Sequence, residues 1–205
     1  VQNIVNMIIR SKAPLRIGLA GGGTDVSPYA DLYGGAILNA TIDLYAYASL
    51  EPLTNGKIEF CIDGTDKCII LDAAKELKLV EGFELFIGVY NRVIKQFNLP
   101  AQSFRLTSYI EAPQGSGLGT SSTIVVSLLG AFVEWLKLPL GQYDIAHLAY
   151  EIERIDLNMS GGKQDQYAAT FGGINYIEFL SNDRVIVNPL HLKNEILYEL
   201  ECNLL

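Results

Sequence analysis

The stretch with the most chemistry in it is Pro113-Gln-Gly-Ser-Gly-Leu-Gly-Thr-Ser-Ser-Thr123. Gly115, Gly117 and Gly119 alternate with Ser116 and Leu118, then run into the hydroxyls of Thr120, Ser121 and Ser122. Phe104, Leu106 and Ile110 before it have strand spacing, and Ile124, Val125, Leu128, Leu129, Phe132, Val133 and Leu136 after it have helical spacing. Glycine lets a backbone approach a ligand and take positive φ. A helix start leaves N–H groups unpaired and carries partial positive charge. Strand, glycine loop and helix together therefore make a phosphate cradle. The Thr-Ser-Ser run is expected to cap the helix and to offer hydroxyls to a metal-bound phosphate. No lysine follows the last glycine, so this is not a Walker-type loop. Taken alone, a glycine-rich connection whose hydroxyls only cap the helix is an equal reading.

Two further segments bear on that choice. Pro14-Leu-Arg-Ile-Gly-Leu-Ala-Gly-Gly-Gly-Thr-Asp25 is a strand followed by a glycine loop that ends in a carboxylate. Ser160-Gly-Gly-Lys-Gln-Asp-Gln166 places Asp165 at the start of a helix, where the positive end keeps a carboxylate ionised. Phosphoryl transfer needs charge neutralised on the migrating group and a nucleophile held in line. A cation bridging phosphates takes hard oxygen ligands, with water completing its shell.

The elements that must position these groups can be read from periodicity. Residues 4–10 and 12–19 read as two strands, 29–33 as a helical turn closed by Gly34, and 36–42 and 44–50 as strands. Residues 57–62 and 67–71 read as a hairpin through Asp63-Gly64. Phe83, Phe86, Ile87, Tyr90, Val93, Ile94 and Phe97 mark an amphipathic helix. Ile145, Leu148, Ala149, Ile152 and Ile155 mark another, with Glu153 and Arg154 near its end. Residues 163–171 form a short helix, and 174–179 with 184–187 a last hairpin. Residues 196–205 read as a strand in which the chain stops, so truncation is expected, and Met7 is a candidate start. Tyr29 and Tyr33 are expected to pack, and His147 and His191 to be structural. Lys163, Lys12 and Arg10 read as solubilising surface cations, with contact to a distal phosphate as the sharper alternative.

The totals set bounds. In 205 residues, 49% are apolar and 19% charged, enough for a folded core and too few charges for a disordered chain. A net charge of −8 argues against nucleic acid or an anionic membrane as partner. Three cysteines, an odd number without a CxxC pair, are expected to be reduced thiols in a cytoplasmic protein.

The three segments in this order resemble the GHMP kinases, from about Lys12 to Phe179. Residues 113–122 match that family's PxxxGLxSS phosphate loop, with Thr120 where Ser is common. The wording GGGTDVSPYADLYGG, LNATID and GGKQDQYAATFGG is most similar to the branch acting on D-glycero-D-manno-heptose 7-phosphate at its anomeric oxygen. The resemblance implies a two-layer α+β nucleotide-binding domain over residues 1–190, shared with a ribosomal-protein-like superfamily. Residues 191–205 would begin a C-terminal domain that is largely missing, so the 205-residue chain alone is expected to be a poor enzyme.

The same resemblance implies ATP and Mg2+ as cofactors, a sugar phosphate as small-molecule partner, and allows a homodimer. It assigns Asp165 and Arg16 to catalysis, and Pro113, Gly115, Ser116, Gly117, Leu118, Gly119, Thr120, Ser121 and Ser122 to the nucleotide. Gly22, Gly23, Thr24, Asp25 and Gly162 would hold the sugar, and Ser121 with Glu153 the metal. Glu153 reads equally as a solvated helix carboxylate. Another sugar, such as L-fucose or a hexose, and a catalytically silent sensor remain as rival readings.

Overall fold

The structure is a computed structural model that describes residues 7–113, 115–181 and 183–204. Its centre is β2 (Gly35–Pro52), an 18-residue strand with many β-branched and aromatic residues. β1 (Ile9–Ala20) runs antiparallel along β2. β5 (Phe104–Ile110) pairs with the second half of β2 and β6 (Ile174–Phe179) with the first half, both antiparallel. β3 (Lys57–Ile62) joins β5 in parallel, while β4 (Cys68–Asp72) and β7 (Val185–Pro189) form the outer strands. The seven strands run β4-β3-β5-β2-β6-β7, with β1 on β2.

Burial alternates along β5, so one face of the sheet is covered and the other solvated. The cover is α2 (Glu84–Gln96) and α3 (Thr120–Leu136). Phe60, Phe104 and Leu106 of the sheet meet Phe86, Tyr90, Val93, Leu128 and Phe132 there. The Phe104 ring sits edge-on to Phe132, centroids 5.3 Å apart. Truncating a side chain so placed costs about 3–5 kcal/mol. α4 (Gln142–Glu151) continues into a π turn (Ile152–Asp156), and α5 (Gln164–Phe171) lies against β1, β2 and α3. A smaller cluster of Ile37, Tyr167, Ile177 and Phe179 holds α5 to the sheet. The expected two-layer α+β arrangement is what the chain adopts.

Several expectations change. Residues 9–20 are one strand, because register shifts at Pro14/Arg16 and Gly18/Ala20 absorb the proline without ending the pairing; residues 4–6 lie outside the described residues. Residues 36–42 and 44–50 are likewise parts of β2, with Asp43 exposed between them. The tail is α6 (Asn194–Asn203), a helix with no buried residue, and not a strand. Its apolar Ile196, Leu197 and Leu200 recur at helical spacing, not at every second position. Leu205 lies outside the described residues.

Tyr29 and Tyr33 of α1 (Tyr29–Tyr33) do not pack inside; both are exposed, with rings 5.3 Å apart. Cys61 and Cys68 are not free thiols: they face each other across β3 and β4 and form a disulfide, while Cys202 is free and exposed. Seven positions of sequence separation conceal a pair that the hairpin register makes adjacent. Among the described residues no helix is long and apolar enough to cross a membrane.

Candidate active site

The glycine loop adopts the conformation its composition favours. Gly115, Gly117 and Gly119 have φ of 84°, 76° and 77°, a region that disfavours side chains. Gly119 is the N-cap of α3 and receives no side-chain cap, so the expected Thr-Ser-Ser cap does not form. Instead the Thr123 hydroxyl donates back to the Gly119 carbonyl at 2.9 Å. The first intrahelical amide bond runs from Thr123 N to Gly119 O at 3.0 Å, which leaves the amides of Thr120, Ser121 and Ser122 directed out of the helix end.

β1 brings Arg16 to this loop. The Arg16 amide donates to the Leu118 carbonyl at 3.2 Å, and its Nη1 donates to the Gly117 carbonyl at 2.9 Å. The register shift at Pro14/Arg16 is the irregularity that aims this side chain. On its other side the guanidinium meets Asp165 of α5, Nε to Oδ1 at 2.7 Å and Nη2 to Oδ1 at 2.5 Å. The two side chains keep 13% and 21% of their exposure, so the pair sits at a mouth reached by solvent. Asp165 also closes on the loop: a Cβ on Gly119 would lie 3.2 Å from its Cγ.

Asp25 approaches from the first glycine loop. Its Oδ2 accepts from the Gln164 amide at 2.9 Å, capping the start of α5, while buried Oδ1 has no hydrogen-bond partner. Gly162 packs so tightly here that a Cβ would sit 1.9 Å from Asp25 Oδ2. Gly22 and Gly23 line the exposed rim of the same loop. The Thr24 hydroxyl is engaged by the backbone, lying 2.8 Å from Gly21 O and accepting from Ala36 N at 3.1 Å. Gly21 to Asp25, Gly117 to Ser122 and Gly162 to Asp165 thus meet through Arg16, Asp25 and Asp165.

Glu153 is fully buried, so the solvated reading does not hold. The Gln166 amide donates to Glu153 Oε2 at 2.5 Å and to Ser122 Oγ at 3.0 Å, linking the π turn to the first turn of α3. Burial pushes the Glu153 carboxyl up, opposed by Arg154 and by hydrogen bonds from Gln166 and Ser122. Glu153 Oε1 accepts no hydrogen bond and has Arg154 Nη1 at 3.6 Å. Arg154 Nε donates to the Gly162 carbonyl at 3.3 Å.

Arg154 carries no motif signal, and Gln166 lies within the Ser160–Gln166 segment with no role read for it; only their positions beside Glu153 and Asp165 could have drawn attention to them. Lys163 is buried, paired with Asp183 and set over the Tyr150 ring, and is not a solvated surface cation. Lys12 lies over the Tyr45 ring on the sheet, and His147 is exposed near Glu151. A cleft of about 390 Å3 opens beside Pro113, lined by Ile62, Gly64, Tyr109, Phe86 and Ile124.

A left-handed glycine loop on a helix end, faced by an arginine–aspartate pair, gives this α+β domain an arrangement suited to a phosphate beside an acidic group. Residues 84–173 match the GHMP kinases N terminal domain. It is 53% identical over 194 residues to a D-glycero-alpha-D-manno-heptose 7-phosphate kinase of Campylobacter jejuni, covering 95% of this chain and 57% of that protein. A crystal structure described as a D-glycero-D-manno-heptose 1-phosphate kinase from Bacteroides thetaiotaomicron is 58% identical with a TM-score of 0.92, over 95% of this chain and 63% of that one. Lactococcus lactis galactokinase complexed with galactose, 20% identical, shares the fold at a TM-score of 0.76 over 93% of this chain and 49% of its own. The chain therefore spans between about half and two thirds of these relatives' length.

Proposed function

We propose that the chain is the nucleotide-binding part of a kinase that transfers the γ-phosphoryl group of ATP to the anomeric hydroxyl of D-glycero-D-manno-heptose 7-phosphate. The product would be the 1,7-bisphosphate, a precursor for nucleotide-activated heptose and surface polysaccharide. The observation that carries the reading is the Arg16–Asp165 pair at the mouth of the glycine loop. Loop amides and the α3 end hold the phosphates, and the cleft beside Pro113 has the size and apolar lining for a nucleobase. Asp165 accepts or orients the proton of the sugar hydroxyl as that oxygen bonds to phosphorus and ADP leaves. Arg16 balances charge on the migrating group. Asp25 and the Gly162 turn hold sugar hydroxyls, because a carboxylate accepts two hydrogen bonds from a diol.

The donor set fits a hard divalent cation such as Mg2+. Glu153 offers a buried carboxylate oxygen with no hydrogen-bond donor, and Ser121 and Ser122 offer hydroxyls. Among the described residues no cluster of three His, Cys, Asp or Glu forms, so phosphates and water would supply the other ligands. When bound, the cation would neutralise charge between the β- and γ-phosphates.

The identity to the heptose kinases supports the sugar class, although their two descriptions put the substrate's existing phosphate on different carbons. The test is 31P NMR of the protein at its full natural length with Mg-ATP and each candidate sugar. A new anomeric phosphate on heptose 7-phosphate is expected. Preference for L-fucose or galactose would overturn the substrate, and nucleotide binding without transfer to any sugar would leave a sensor.

A further inference from the structure

Resting on that reading, we propose that Arg92 is a positioning residue: from α2, on the far side of the π turn, it holds the turn that presents Glu153 and Arg154 to the phosphate site. Its guanidinium donates to Asp156 through Nε at 2.5 Å and Nη2 at 2.6 Å, and to Glu151 through Nη1 at 3.2 Å. The two carboxylates stand at the two ends of the segment that carries Glu153 and Arg154.

The reach of one side chain to both depends on the turn itself. In an α-helix residues five apart point in different directions, whereas i→i+5 closure stacks them on one face. The bond from Leu157 N to Ile152 O, at 3.0 Å, is such a closure. Straightening the segment to α-helix would rotate the residues after Glu151, turning Glu153 away from Ser122 and Gln166 and separating the carboxylates that Arg92 joins. Arg92 is therefore matched to the widened turn and not to its regular alternative. A planar fork of donors suits the task, and a lysine point charge does not.

A second contact fixes the same junction. A Cβ on Gly88 of α2 would lie 2.9 Å from Leu157 Cδ1, so the Leu157 side chain packs closely on α2 at this point. Beyond Arg92 a hollow of about 1140 Å3 opens, bordered by Lys75, Lys78, Lys95 and Asp156. The clamp thus stands between solvent on one side and the buried Glu153 on the other.

The test uses Arg92→Met, with Asp156→Asn as a milder variant that guards against simple misfolding, in the protein at its full natural length. Amide hydrogen exchange is read without metal or nucleotide, and ATP binding is read with magnesium and with a chelator. Exchange across residues 151–162 should quicken about tenfold while β5 and α3 are unchanged. The gain in ATP affinity on adding magnesium should fall about tenfold, and Arg92→Met should add nothing further in a Glu153→Gln background. Unchanged exchange in 151–162 would reduce Arg92 to a surface ion pair, and full additivity with Glu153→Gln would make its effect general destabilisation. If the unmodified protein gains no ATP affinity from magnesium, the kinase reading fails, while exchange still decides whether Arg92 holds the turn.

Discussion

Arg16 and Asp165 stand 149 positions apart in the chain and share a 2.7 Å hydrogen bond. A guanidinium facing one carboxylate oxygen leaves the other for a hydroxyl proton. Asp165→Ala should therefore lower turnover about 10²–10⁴-fold and change ATP affinity less than about threefold, as steady-state kinetics and calorimetry would read. Ser121→Ala should instead weaken magnesium-dependent ATP binding; equal and small effects from both variants would mean the site is misplaced. Glu153 gives a pH signature. Burial holds its folded-state carboxyl above the usual 4.5, so the folded protein keeps a proton that the unfolded chain releases. Stability from this group is present in acid and falls as pH rises past the usual value. Without metal, urea midpoints of Glu153→Gln and the unmodified protein should lie closest in acid and separate toward neutral pH, the variant being the more stable. Parallel curves would show that Glu153 is not buried as described. Arg16 and Asp165 were legible because each sits in a motif whose chemistry needs its charge. The burial of Glu153 and Lys163 was not, since a carboxylate or ammonium in or beside a helix looks the same in sequence whether solvated or buried.

Elements were legible where period and punctuation agreed. Phe83 to Phe97 gave α2, the even spacing of Phe104, Leu106 and Ile110 gave β5, and Gly172 closed α5 where expected. Breaks inside β1 and β2 were read because local polarity and a proline resemble strand ends, whereas ladder pairing on both sides carries the chain through. The π turn leaves no signature in composition, yet it sets where Glu153 points. The β3–β4 hairpin borders the cleft beside Pro113 and carries the Cys61–Cys68 disulfide. Closing so short a loop stabilises by about 2 kcal/mol. Cys61→Ser should lower the unfolding free energy by that amount in non-reducing buffer and leave it unchanged in dithiothreitol. Equal losses in both buffers would assign the effect to packing instead.

At the scale of the molecule, one sheet covered on one face by helices brings three distant loops to a common edge. β1 delivers Arg16 and the loop ending in Asp25, β5 leads into the glycine turn, and α5 supplies Asp165. A crystal structure of the protein at full natural length with a non-hydrolysable ATP analogue, magnesium and heptose 7-phosphate would show whether the three loops converge on one pair of substrates. The terminal phosphate is expected against the amides of Thr120 to Ser122 and the Arg16 guanidinium, with the sugar's anomeric oxygen facing Asp165. A triphosphate seated elsewhere, or a sugar oxygen turned away from Asp165, would contradict it.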